Sequence, residues 1–147
     1  MAVNWQEFIE VIQAHDRFML TSHIRPDCDA LGSVLGMMDV LEQLGKDVII
    51  VNGQPTPPNL AFIDPENRIK AIGVDLQLED LQDRDIHMVL DTSAWAQLGP
   101  MGEVIKAMDI PLIVVDHHQG EDDLGATFFK DTTAEAAGKL VADAADA

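Results

Sequence analysis

Basic residues are scarce in this chain. Nine Lys and Arg stand against 26 Asp and Glu, giving a formal charge of −17 and a pI near 4.2. So acidic a surface repels phosphate backbones, so this domain alone is not expected to bind duplex nucleic acid. Solubility or adaptation to salt explains the imbalance more simply than an acidic ligand does. There is one cysteine, Cys28, which can form no intrachain disulfide. Long apolar runs are missing: stretches such as Pro111 to Val115 are of strand length, so nothing is expected to span a membrane. The N-terminus lacks a basic flank followed by an apolar run, so no signal peptide is expected. Together these absences favour the cytoplasm. What is present is a foldable core. Hydrophobic residues make up 47% of 147 residues, enough for one domain over 1–147 and too few for two.

Along the chain, apolar strands alternate with helical patterns. Asn4 caps a first helix that repeats Trp5, Phe8, Ile9 and Ile12 on one face, with Glu7 three residues after the cap. Phe18 to His23 reads as a strand. Asp29 to Leu44 reads as a helix with the stripe Leu31, Val34, Leu35, Met38, Leu41 and Leu44, ended by Gly45. Val48 to Val51 is a strand, 52–60 a loop with three prolines, Arg68 to Ile72 a short strand, and Leu78 to Asp85 a polar turn or short helix. Ile86 to Leu90 is a strand ending at Asp91, Gly102 to Met108 a short helix, and Pro111 to Val115 a strand ending at Asp116. Thr133 to Ala147 is Ala-rich and helical. This alternation predicts an α/β fold: a three-layer, Rossmann-like, open and mostly parallel sheet with helices on both faces.

Three polar clusters each follow an apolar strand: His23-Ile-Arg-Pro-Asp27-Cys-Asp29, Leu90-Asp91-Thr92-Ser93, and Val115-Asp116-His117-His118. Singly, an Asp at a strand end is an ordinary turn or cap residue, and Asp29 reads as the cap of its helix. Jointly they mean more, because ligands of parallel α/β sheets bind beyond the carboxyl ends of the strands. Convergence there gathers four carboxylates and three imidazoles, a costly crowd unless cations occupy it. Carboxylate with imidazole and no thiolate suits Mn, Mg, Fe or Zn, with Mn²⁺ favoured by the oxygen-rich set and Mg²⁺ the next choice. Two cations about 3.5–4 Å apart need a shared carboxylate and would activate a bridging water. Cys28, between two acidic residues, is a poor rival nucleophile.

The run His23-x-x-x-Asp27-x-Asp29-Ala-x-Gly32-Ser33, the Leu-Asp-Thr at Asp91 and the Asp-His-His at 116–118 resemble the DHH phosphoesterase superfamily. The wording of the first and third motifs is most similar to the branch of oligoribonucleases (nanoRNases) that also act as 3′-phosphoadenosine 5′-phosphate phosphatases. The resemblance runs from about Phe18 to Leu140. It implies two divalent cations: His23 and Asp27 on the first, Asp29 and His117 on the second, Asp91 bridging them and positioning the attacking water. It further implies that His118 donates to the scissile phosphate, that Asp116 orients the histidine pair, and that backbone amides at Gly32 and Ser33 meet an anion. The implied substrates are short oligonucleotides or nucleoside 3′,5′-bisphosphates.

Two departures follow from the resemblance. Family members carry a fourth aspartate motif and a C-terminal substrate-binding domain; this chain is expected to be cut before both, with an incomplete second metal site and weak catalysis alone. Cys28 also stands where glycine is more usual. Alternatives are a manganese inorganic pyrophosphatase-like hydrolase, and a non-catalytic metal- or nucleotide-binding module, for which a homodimer is open. A receiver-like phosphoacceptor domain would want a late strand-end lysine. Outside the motifs, His15 reads as a helix C-terminal residue, His87 as a strand residue, Met37 and Met38 as core, Trp5 as a staple, Trp95 as packing, Pro57 and Pro58 as a rigid turn, and Glu121-Asp-Asp as a solvated loop.

Overall fold

A computed structural model of the chain describes residues 3–118 and 124–130. The first helix, α1 (Trp5–Gln13), starts where the Asn4 side chain accepts the Glu7 amide at 3.1 Å, satisfying one of the donors that a helix start leaves without a partner. Trp5 packs edge-on against Phe8 with ring centroids 5.3 Å apart. The second helix, α2 (Cys28–Gln43), begins one residue earlier than the periodicity predicts. Its cap is Asp27, whose carboxylate accepts the Ala30 amide at 2.8 Å, and Asp29 lies in the first turn instead. Gly45 closes it at φ 81°, where its amide and that of Lys46 bond the carbonyls of Glu42 and Leu41.

The described residues form six strands, in chain order β1 (Arg17–Thr21), β2 (Asp47–Asn52), β3 (Ile69–Ala71), β4 (Ile86–Leu90), β5 (Leu112–Asp116) and β6 (Thr127–Lys130). All pairings are parallel, in the order β3-β2-β1-β4-β5-β6. Two short helices, α3 (Trp95–Leu98) and α4 (Pro100–Ala107), lie between β4 and β5. Single 3₁₀ turns cover Pro58–Ile63 and Leu78–Leu81. The α/β expectation holds. Sequence periodicity missed β6, α3 and the 3₁₀ turn inside the proline-rich loop, because each is short and a few residues display no period. The predicted tail helix and the Glu121-Asp-Asp loop lie outside the described residues.

Strand alternation splits the core in two. Phe18, Leu20, Ile50, Ile86, Met88, Leu90 and Phe129 meet α1 and α2 on one face. Met19, Val51, Val89, Leu112 and Val114 meet α3 and α4 on the other. The inner strands β4 and β5 are buried throughout, which is why they read as unbroken apolar runs. Among the described residues no helix is long and apolar enough to cross a membrane.

His87 is a buried exception in β4. Its Nε2 lies 2.7 Å from the Thr21 hydroxyl, which itself donates to the Val51 carbonyl at 2.8 Å. The hydroxyl proton being used, Nε2–H must be the donor between them. Burial pushes the His87 pKa down to about 3, so the folded chain refuses a proton that the unfolded chain accepts below about 6.5. Stability from this residue is therefore full above pH 6.5 and falls as pH drops toward 3. Between pH 7.5 and 5.5 urea denaturation should show the parent losing about 1.4 kcal/mol more than a His87→Gln variant; equal losses would refute this.

Candidate metal centre

In the order β3-β2-β1-β4-β5-β6 the chain winds outward from β1 in one direction and from β4 in the other. The crevice beyond the carboxyl ends of β1 and β4 is thus the topological switch point, where such sheets bind ligands. The three polar clusters meet there. His23 stands two residues past β1, Asp91 directly follows β4, and Asp116 is the last residue of β5.

Asp91 occupies the centre. Its backbone is left-handed at φ 69°, a conformation that aspartate tolerates better than most side chains, and its amide bonds the Val115 carbonyl at 2.9 Å. The turn aims a carboxylate that is 3% exposed between two rings: Oδ2 lies 3.1 Å from His23 Nε2, and Oδ1 2.9 Å from His117 Nε2. Asp27 Oδ1 lies 4.0 Å from His23 Nε2, and Asp29 Oδ2 3.9 Å from His117 Nε2. The loop that carries His23 is clamped on both sides. The Ser22 amide bonds Asn52 Oδ1 at 2.8 Å, the Ile24 amide bonds the Gln97 carbonyl at 2.6 Å, and the Arg25 amide bonds Gln54 Oε1 at 3.2 Å.

His23 shows what the crevice wants. Its Nδ1 lies 2.8 Å from the Ile24 carbonyl, an acceptor only, so Nδ1 donates and Nε2 must present its lone pair to Asp91 or carry a second proton. The hydrogen bond to Asp91 raises its pKa to about 9, against burial and helped by the Ile24 carbonyl and the charges of Asp91 and Asp27. Positive charge is thus drawn to Nε2, and a divalent cation seated there would take the proton's place. Among the described residues two donor sets are close enough to hold a metal, His23 with Asp27 and Asp91, and Asp91 with Asp116, His117 and His118; Asp29 belongs to neither and adjoins the second at His117. In each the ligand atoms lie within 4.8 Å of one another. Asp91 belongs to both.

Asp116 is differently employed. Its Oδ1 accepts the amides of His117 and His118 at 2.8 and 3.2 Å and the His118 Nδ1–H at 2.7 Å. Its Oδ2 accepts the Ser93 hydroxyl in a short hydrogen bond, with the Lys130 ammonium 3.7 Å away. Burial works to raise its pKa, but bonds from Ser93 and His118 outweigh this and hold it below the ordinary carboxylate value. So heavily bonded a carboxylate orients its neighbours better than it serves a metal. Gly32 and Ser33 lie one turn inside α2, where the helix uses their amides, and the Ser33 hydroxyl donates to the Asp29 carbonyl at 2.6 Å. An anion at this terminus would meet first-turn amides rather than those two. Lys130 was not read from the sequence. Its signal was available: Thr127 to Lys130 followed by Asp131 repeats the strand-then-acid pattern of the other clusters.

The DHH family, N-terminal domain, matches residues 17–146. The chain belongs to that family. Among curated relatives, this DHH domain is 27% identical over 137 residues to a probable bifunctional oligoribonuclease and PAP phosphatase NrnA of Streptococcus mutans, covering 90% of this chain and 39% of the relative. It is 25% identical to the bifunctional oligoribonuclease and PAP phosphatase NrnA of Bacillus subtilis, covering 92% and 40%. For the Mycoplasma pneumoniae protein of that name the identity is 27%, covering 95% and 42%. The chain therefore spans about two fifths of the length of these relatives. Among solved structures, an exopolyphosphatase-related protein from Bacteroides fragilis superposes with a TM-score of 0.84 at 23% identity, covering 95% of this chain and 42% of that one. That likeness concerns the fold, and it agrees with the sheet described above.

Because Asp91 serves both donor sets, it should control metal uptake. Mn²⁺ at about 100 times its dissociation constant is expected to stabilise the chain by about 2.7 kcal/mol in chemical denaturation, reversed by a chelator. Asp91→Asn should lose most of that gain. A variant stabilised as much as the parent would show that the carboxylate holds no metal.

Proposed function

We propose that this domain hydrolyses phosphate esters with two divalent cations, Mn²⁺ in first place, on short oligonucleotides or nucleoside 3′,5′-bisphosphates. The observation that carries the reading is the sharing of Asp91 between two donor sets. His23 and Asp27 would hold one cation, Asp29 and His117 the other, with Asp91 between them. The cations would supply an activated water and neutralise charge on the phosphoryl oxygens. The rest is the work of side chains. The left-handed backbone at residue 91 holds the shared carboxylate at the mouth of the switch point, and Asp116 fixes the ring of His118. His118, with a side chain 54% exposed, is placed to contact the phosphate. Its Nδ1 proton goes to Asp116, so it donates from Nε2 only as an imidazolium.

The substrate class comes from the relatives' names, and it fits the charge. A chain at −17 repels nucleotides outside the metal centre, so further grip on the substrate belongs to protein beyond this domain. A receiver-like reading fits less well. Such domains order their strands 2-1-3-4-5, and although Lys130 does stand at a late strand end, it approaches Asp116 and Ser93.

Turnover tests this. With Mn²⁺, the chain is expected to release phosphate from a nucleoside 3′,5′-bisphosphate or mononucleotides from a dinucleotide. Asp116→Asn should lower kcat by about 10–100-fold, and Asp91→Asn by more. Hydrolysis of pyrophosphate alone would favour the pyrophosphatase reading. Metal binding with no turnover of any of these would make the domain a binding module.

A further inference from the structure

Lys130 and Asp116 are register partners at the ends of β6 and β5. The lysine side chain is only 10% exposed, and its Nζ lies 3.0 Å from Ser93 Oγ and 3.7 Å from Asp116 Oδ2. A part-buried ammonium is costly to place, and long basic side chains ordinarily carry the charge out to water. This one instead ends against the crevice.

The direction of its hydrogen bonds is dictated by chemistry. An ammonium has donors and no acceptor, so Ser93 Oγ accepts from Lys130. The single hydroxyl proton of Ser93 then goes to Asp116 Oδ2, the short contact described above. Asp116 Oδ1, on the other side of the carboxylate, receives the ring Nδ1–H of His118 at 2.7 Å. A continuous run of donors thus leads from Lys130 through Ser93 to Asp116, whose carboxylate is bonded at both oxygens.

We propose that Lys130, acting through Ser93 and Asp116, is a positioning residue that holds His118 as the Nδ1–H tautomer and leaves Nε2 as the lone-pair nitrogen. Without the ammonium, the Ser93 hydroxyl regains its other rotamers and can donate elsewhere, and Asp116 is then held only on the Oδ1 side, by the amides of His117 and His118. A methionine at 130 keeps the length of the side chain and removes the donor. An arginine keeps a donor and the charge. The importance of this arrangement for turnover rests on the phosphoesterase reading, but the arrangement itself does not.

The test uses the metal-free chain and needs no substrate. Two-bond ¹H–¹⁵N spectra at pH 7.5 report which ring nitrogen of His118 carries the proton. In the parent, Nδ1–H is expected to dominate. Lys130→Met and Ser93→Ala should each shift the tautomer ratio by about 2–10-fold, the range that loss of one hydrogen bond implies, and Lys130→Arg should retain the parent ratio. Unchanged His118 signals in a folded Lys130→Met chain would overturn the proposal. Should that variant fail to fold, Ser93→Ala decides: an altered ratio supports the relay and an unaltered one refutes it. Failure here would leave the phosphoesterase reading standing, and a chain without turnover could still show the relay.

Discussion

The site depends on one carboxylate held between two imidazoles. Asp91 meets His23 through one oxygen and His117 through the other, and the three residues come from three different strand ends. No local pattern can produce such a contact; the parallel sheet does, by bringing the ends of β1, β4 and β5 to one edge. The contact is also electrostatically incomplete. A buried carboxylate facing His23 Nε2, whose Nδ1 already donates to the Ile24 carbonyl, is satisfied on that side only if a proton or a cation lies between. The raised pKa of His23 expresses that demand.

Around this contact, the backbone is held in ways that packing alone would not choose. Asp91 has a positive φ, a conformation costing a non-glycine residue on the order of 1 kcal/mol, and such strain persists where surrounding structure over-determines it. The neighbouring loop has a matching constraint. A side chain at Gly53 would bring its Cβ to 2.8 Å from the Leu98 carbonyl and 3.2 Å from Ile24, and one at Gly99 to 2.7 Å from Ile24. The loops after β2 and β4 therefore grip the His23 loop from both sides so closely that two glycines are required. Position, more than donor identity, is what this part of the chain specifies.

Much of this could be read from the amino-acid order. Inner strands showed themselves as continuous apolar runs because both of their faces are buried, and the acids and histidines showed themselves because polar residues directly after such runs are conspicuous. The left-handed turn at Asp91 could not be read, since aspartate at a strand end is equally at home in an ordinary turn. The cap of α2 was misplaced by two residues for a related reason: Asp27 and Asp29 both suit the position, and only coordinates show that the Ala30 amide chooses Asp27. Lys130 escaped because the four residues of β6 are too few to display a period, although the acid that follows them was a usable clue. The roles of Gly32 and Ser33 were drawn from motif position, and the helix register takes their amides inward.

The two edges of the sheet use charge in opposite ways. At the amino edge, Arg84 reaches Asp47 at 3.0 Å and Asp83 at 3.1 Å, Arg17 adds bonds to Asp47 and Asp83, and the Asp85 carboxylate accepts the amides of Asp16 and Arg17. The guanidinium groups hold the carboxyls of Asp47 and Asp83 below their ordinary range. Asp47 and Asp83 there have permanent cations and Asp85 has two backbone amides, so the edge is chemically finished. At the carboxyl edge the acids face imidazoles, whose charge depends on what else is bound, and the part-buried Lys130 ammonium approaches Asp116 and Ser93. In a chain with nine basic residues, spending arginines on the far edge and leaving Asp91 to histidines keeps the switch point open to an external cation. An arginine beside Asp91 would have closed it.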